Sequence, residues 1–155
     1  MSLLTPGQIA SSADLFDKLK RDAALLNDKV TSDGLFNFVV TGYSLIDWVK
    51  RDPVTKGKPE NSKAVDALYK DPWLQVCGDI ATAAKHFALT SRKPITEHVV
   101  SRQGFGVGRY GIGEYGVGEE RIVVVLTDGS EYSLLQVVEG VLGTWTTYFD
   151  GHTTT

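Results

Sequence analysis

Apolar residues recur every three or four positions through the first half of the chain. Leu15, Leu19, Ala23, Leu26 and Val30 form one stripe, and Asp14, Asp17, Lys18, Lys20, Arg21 and Asp28 fill the other side. That spacing predicts an amphipathic helix. Thr5-Pro6 upstream offers an N-cap followed by Pro at the first helical position. Thr31-Ser32-Asp33-Gly34 is a connection with capping chemistry. From about Leu35 to about Lys50 the chain is almost wholly apolar, which predicts the most buried helix. Asp52-Pro53 ends it, and residues 53 to 60 are a polar loop with two prolines and a glycine. Asn61 is placed to cap a short helix through Tyr69. Asp71-Pro72 is a restart signal, a capping carboxylate followed by Pro. It opens a fourth helix from Pro72 to about Leu89, where Ala81, Ala83 and Ala84 permit close approach to a neighbour.

The period changes at Lys93. Ile95 to Ser101 reads as a strand, and Arg121 to Thr127 as a second with Ile-Val-Val-Val-Leu at its centre. Between them, residues 104 to 118 are glycine-rich with a five-residue repeat, Phe105-Gly-Val-Gly, Tyr110-Gly-Ile-Gly and Tyr115-Gly-Val-Gly, in which Arg109 and Glu114 separate the units. Asp128-Gly129 is a hairpin-type turn, followed by a short return strand. Ser133-Leu-Leu-Gln136 is a capping box. It opens a last helix to about Phe149 with Leu134, Val138, Val141, Leu142, Trp145, Tyr148 and Phe149 on its apolar face. His152 and the threonine tail fall in a terminus expected to fray. The predicted fold is α+β, mainly α, in a single domain: a four- to five-helix bundle over residues 1 to 92, a β-hairpin inserted before the last helix, and a C-terminal helix over 133 to 150.

Composition changes this picture little. A chain of 155 residues is long enough to bury a core, and 42% apolar with 23% charged residues is ordinary for a globular protein. The net charge of -3 argues against a dedicated nucleic-acid face, though not against a small basic pocket. Cys77, alone in an apolar setting, reads as a reduced core thiol of a cytoplasmic protein. No signal-peptide layout or spanning-length apolar run is present, so no membrane partner is expected. Three scattered histidines and one cysteine have no metal-ligand spacing, so neither a metal nor another cofactor is expected.

The candidate chemistry lies on the second and fourth helices. Asn37, Thr41, Ser44 and Trp48 follow at steps of four, three and four, with Asp47 beside them. Asp79, Thr82 and His86 follow at steps of three and four, with Lys85 adjacent. If the two stripes face each other, the polar groups must hydrogen-bond in a mostly apolar setting. One reading is a register lock without chemistry. The other is a site in which His86 is the acid–base, Lys85 the phosphate contact, and Asp79 and Asn37 complete the set.

Phe36 to Val49, FNFVVTGYSLIDWV, and Cys77 to Phe87, CGDIATAAKHF, together resemble a pattern in uncharacterised bacterial and mobile-element proteins. Those carry an Asn-x-x-x-Thr-Ala-Tyr/Trp-x-x-x-Asp-Trp helix and an Arg-Asp-x-Ala-Asn-x-x-Lys-His helix. The likeness extends to the glycine-rich segment, the apolar strand ending in Asp-Gly and the last helix with Trp. The long-helix layout is similar to the HEPN class of helical bundles found in toxin–antitoxin and phage-defence systems. HEPN ribonucleases carry an Arg and, a few residues on in the same helix, a His. Here Asp79, Ile80 and Ala81 occupy the positions five to seven before His86. Gly78 stands where the related pattern has Arg, and Thr82 where it has Asn. Arg92 and His98 have the spacing, but Pro94 lies between them and the second falls in a strand.

Gly106-Val-Gly108-Arg-Tyr-Gly111 and Gly111-Ile-Gly113-Glu-Tyr-Gly116 match the G-x-G-x-x-G spacing, but a strand follows them where a dinucleotide fingerprint needs a helix. A hairpin tip is the plainer expectation. A flap in which Phe105, Tyr110, Tyr115 and Arg109 grip a ligand or partner is the functional alternative. Two function classes follow. The first is a non-enzymatic interaction protein, such as a phage-defence, antitoxin or anti-defence component, with a protein partner that could be a second copy in a homodimer. The second is a HEPN-type enzyme directed at RNA or nucleotides through His86 and Lys85.

Overall fold

The computed structural model describes residues 9–52, 59–86, 94–103 and 120–152. Its elements are α1 (Ser12–Asp28), α2 (Ser32–Arg51), α3 (Pro59–Lys70), α4 (Pro72–His86), β1 (Thr96–Gln103), β2 (Glu120–Leu126), β3 (Glu131–Ser133) and α5 (Leu134–His152). The fold is α+β and mainly helical, as the apolar periods predict. The return strand pairs fully, so the expected hairpin is a three-stranded antiparallel sheet in the order β1-β2-β3. Among the described residues, no helix is long and apolar enough to cross a membrane.

Local chemistry sets the element boundaries. Thr5-Pro6 lies outside the described residues, and α1 starts instead at a capping box. The Ser11 side chain accepts from the Asp14 N–H, and the Asp14 carboxylate accepts from the backbone N–H groups of Ala10 and Ser11. Thr31 caps α2 by accepting from the Gly34 N–H at 2.9 Å. Pro59 and Glu60, expected in the loop over 53 to 60, already belong to α3, and residues 53 to 58 lie outside the described residues. Asn61 therefore sits inside that helix and is not its cap. Asp71 caps α4 as predicted, its Oδ1 accepting from the Leu74 N–H at 3.1 Å. Ser133 and Gln136 exchange both capping-box bonds at the start of α5.

α2 is the hub. It packs against each of the other four helices, with Leu35, Phe38, Val39, Leu45, Ile46 and Val49 buried. Three helices converge on Gly42. A Cβ there would lie 3.0 Å from Cys77 Sγ on α4, 3.4 Å from Val141 on α5 and 3.5 Å from Leu19 on α1. Its carbonyl accepts a 3.1 Å hydrogen bond from the indole Nε1 of Trp145, which is fully buried. The indole thus fills the core and also satisfies its donor.

The sheet lies over α5 and reaches the end of α4 through β1. Val124 on β2 pairs with Val99 and Tyr132 on its two sides, so the three share a face. Tyr132 meets Trp73 of α4 edge to face, with ring centroids 5.1 Å apart. The β1–β2 register shifts between Thr96 and His98, a bulge that leaves Glu97 and His98 exposed. At the β2–β3 turn Gly129 has φ +90°, a left-handed conformation that favours glycine.

The α1 capping box gives a pH dependence. The Ala10 N–H first, and the Ser11 hydroxyl after it, hold the Asp14 carboxyl below its ordinary value. A carboxyl depressed in the folded state adds stability above its unfolded pKa. That contribution disappears as pH falls through the folded pKa. Asp14→Asn should thus lower the denaturation midpoint at neutral pH. The gap to the wild type should close below the carboxylate range in a pH series of urea melts.

Candidate functional site

The described members of the two polar stripes turn to different neighbours. Asn37 and Asp47 are exposed, while Ser44 and Trp48 are half-buried. Thr41 is buried, but it points to α1. Lys18 Nζ donates to Asp22 at 2.6 Å and to Thr41 Oγ1 at 3.0 Å, and Thr41 donates to Asp22 at 3.1 Å. The reason lies in the helix hub. The α2 surface toward α4 includes Val39, Gly42 and Tyr43, and the close approach is admitted by a glycine on each helix, Gly42 and Gly78. A Cβ at Gly78 would strike the Tyr43 ring. Cys77 Sγ donates to the Val39 carbonyl at 3.3 Å, and complete burial pushes its thiol far up from the ordinary value, so it is an inert packing group.

Asp79 is buried on α4, but it looks to the sheet. Its Oδ2 accepts from the N–H groups of Ile95 at 3.0 Å and Thr96 at 2.9 Å. The carboxylate thereby anchors the start of β1 to the bundle and satisfies two backbone donors at the strand entry. Lys85 and His86 form the end of α4 by backbone, and their side chains lie outside the described residues. Phe105, Arg109, Tyr110 and Tyr115 also lie outside them. His98 is exposed on β1, as expected of a surface position. Among the described residues, no group of His, Cys, Asp or Glu could hold a metal ion.

A different place is built as a site. Polar ties join α5 to α3 and to the junction between α3 and α4. Near the start of α3, Tyr148 donates to Asn61 Oδ1 at 2.7 Å, while Asn61 Nδ2 donates to the Val49 carbonyl at 3.2 Å. Past the end of α3, Thr144 Oγ1 donates to Asp71 Oδ2 at 3.0 Å. The same regions line an open groove of about 720 Å³. Its lining comprises Ala64, Ala67 and Leu68 of α3, Asp71 and Trp73 at the start of α4, and Glu139, Gly140, Gly143, Thr144, Thr147 and Tyr148 of α5. Carboxylates and aromatic rings therefore stand among small residues, and among the described residues no cationic side chain is in the lining.

The two glycines in this lining have different reasons. A Cβ at Gly140 would collide with the Trp73 ring, so internal packing requires it. A Cβ at Gly143 would meet nothing within 4 Å. Mid-helix glycine costs about 0.5–1 kcal/mol relative to alanine, and no contact inside the fold accounts for that cost at Gly143. Sequence reasoning missed this groove. The available signal was the spacing of Gly140, Gly143, Thr144, Thr147 and Gly151, which sets small residues along one face of a helix already rich in large apolar ones.

Two sets of variants test these assignments by chemical denaturation. Gly140→Ala should destabilise by about 1–3 kcal/mol through overpacking against Trp73, whereas Gly143→Ala should stabilise by about 0.5–1 kcal/mol. Asp79→Ala should cost about 3 kcal/mol for two charge-assisted bonds to the β1 entry. It should also speed hydrogen exchange at the Ile95 and Thr96 amides. Against known proteins, the chain matches no family model, no curated protein and no solved structure.

Proposed function

We propose that the protein is a cytoplasmic, non-enzymatic interaction module whose working surface is the groove between α3 and α5. One observation carries this reading. Asp79, the carboxylate that acid–base work would need beside His86, already accepts two backbone N–H bonds at the β1 entry. Both bonds fall on Oδ2, so this carboxylate is committed to holding the strand entry in place. Asn37, the fourth member of the proposed catalytic set, is exposed on α2. The groove, by contrast, leaves Glu139 exposed and Asp71 half-exposed toward solvent. The resemblance carried by the α2 and α4 stretches makes a toxin or defence protein encoded nearby on mobile DNA the natural class of partner.

The test is turnover. Purified full-length protein is incubated with RNA and with nucleotides, beside His86→Ala and Lys85→Ala variants, and melting temperatures are recorded for all three. Hydrolysis should stay at background in each. An activity present in the wild type and absent from His86→Ala, at unchanged melting temperature, would instead establish the HEPN-type enzyme.

A further inference from the structure

We propose that the α3–α5 groove seats a basic helical segment of a partner protein, with a Lys or Arg directed at Asp71 and Glu139. This deepens the interaction reading above and rests on it. Charge complementarity is the first argument. Among the described residues the lining holds those two carboxylates and no cationic side chain, so the groove is complementary to an occupant that carries positive charge. Trp73 and Tyr148 add aromatic surface that favours a cation or its aliphatic stem. Shape is the second argument. Closely packed helices need small residues where their axes approach, and Gly143 leaves such space outside the molecule while giving nothing to its interior. An open groove also fits a helix better than a free amine, because small-ligand sites enclose most of the ligand surface. A second copy presenting the same groove would set like carboxylates against each other.

Two probes decide the matter on the full-length chain. One is an alanine-based helical peptide with Lys at every fourth position, and the other is its Glu counterpart. The Lys peptide should shift the amide resonances of Gly140, Gly143 and Thr144, and the Glu peptide should not. Gly143→Leu, which fills the groove, should weaken binding about tenfold, and exposed Glu139→Lys about fivefold. Glu139→Lys should retain the wild-type melting temperature and Gly143→Leu should melt at or above it, and if Gly143→Leu fails to fold, Glu139→Lys alone decides. Equal binding of the two peptides, or of neither, overturns the proposal. So do spermidine shifts that match those of the Lys peptide, and a dimer that Gly143→Leu dissociates. A failure of the broader interaction reading looks different: turnover lost in His86→Ala and untouched by both groove variants.

Discussion

The structure depends on one close approach. Gly42, in the middle of α2, brings α1, α4 and α5 within van der Waals reach of a single backbone position, and its carbonyl accepts the Trp145 indole N–H. A larger residue there would push three helices outward together. Because protein interiors are packed like crystals, that strain could not be absorbed locally. The arrangement of Cys77, Val141 and Leu19 around the position follows from the same contact. So does the burial of α5, whose Trp145 is the largest fully buried side chain in the protein.

Around this apolar centre, polar groups hold the periphery in register. Lys18, Asp22 and Thr41 join α1 to α2. Asn61 and Tyr148 join α2, α3 and α5, and Asp79 joins α4 to the sheet. Each tie works in a buried or half-buried setting, where an unmatched polar atom costs more than a matched one gains. They therefore discriminate against slipped packings more than they add stability. The groove carboxylates differ in kind. Asp71 caps a helix with one oxygen and accepts from Thr144 with the other, yet it and Glu139 keep contact with solvent.

Much of this was legible in the sequence where the signal is local. The apolar period of α1 and α2, the Asp71-Pro72 restart, the Ser133–Gln136 capping box and the Asp128-Gly129 turn all depend on residues within a few positions of one another. The misreadings involve partners far away in the chain. Asn61 looks like a cap by type, but its bonds go to Val49 and Tyr148. Thr41 and Asp79 lie on the predicted helices, but the rotation of those helices about their axes sends them to α1 and to β1. Rotation is set by which small residue admits which large one, such as Gly78 against Tyr43, and no single-helix pattern encodes that pairing. The groove was hidden for the same reason, since a gap between helices has no sequence of its own.

The Trp145–Gly42 bond spans 103 residues and the Tyr148–Asn61 bond spans 87. These separations are long for a mainly helical chain, in which rapid folding usually comes from local contacts. A nascent chain that has been made only through α4 carries a vacant seat on α2 where the indole belongs, at Gly42 with Cys77 beside it. The hydrophobic centre closes only when the last helix arrives. During synthesis the protein therefore passes through a stage with exposed core surface, the condition in which aggregation competes with folding.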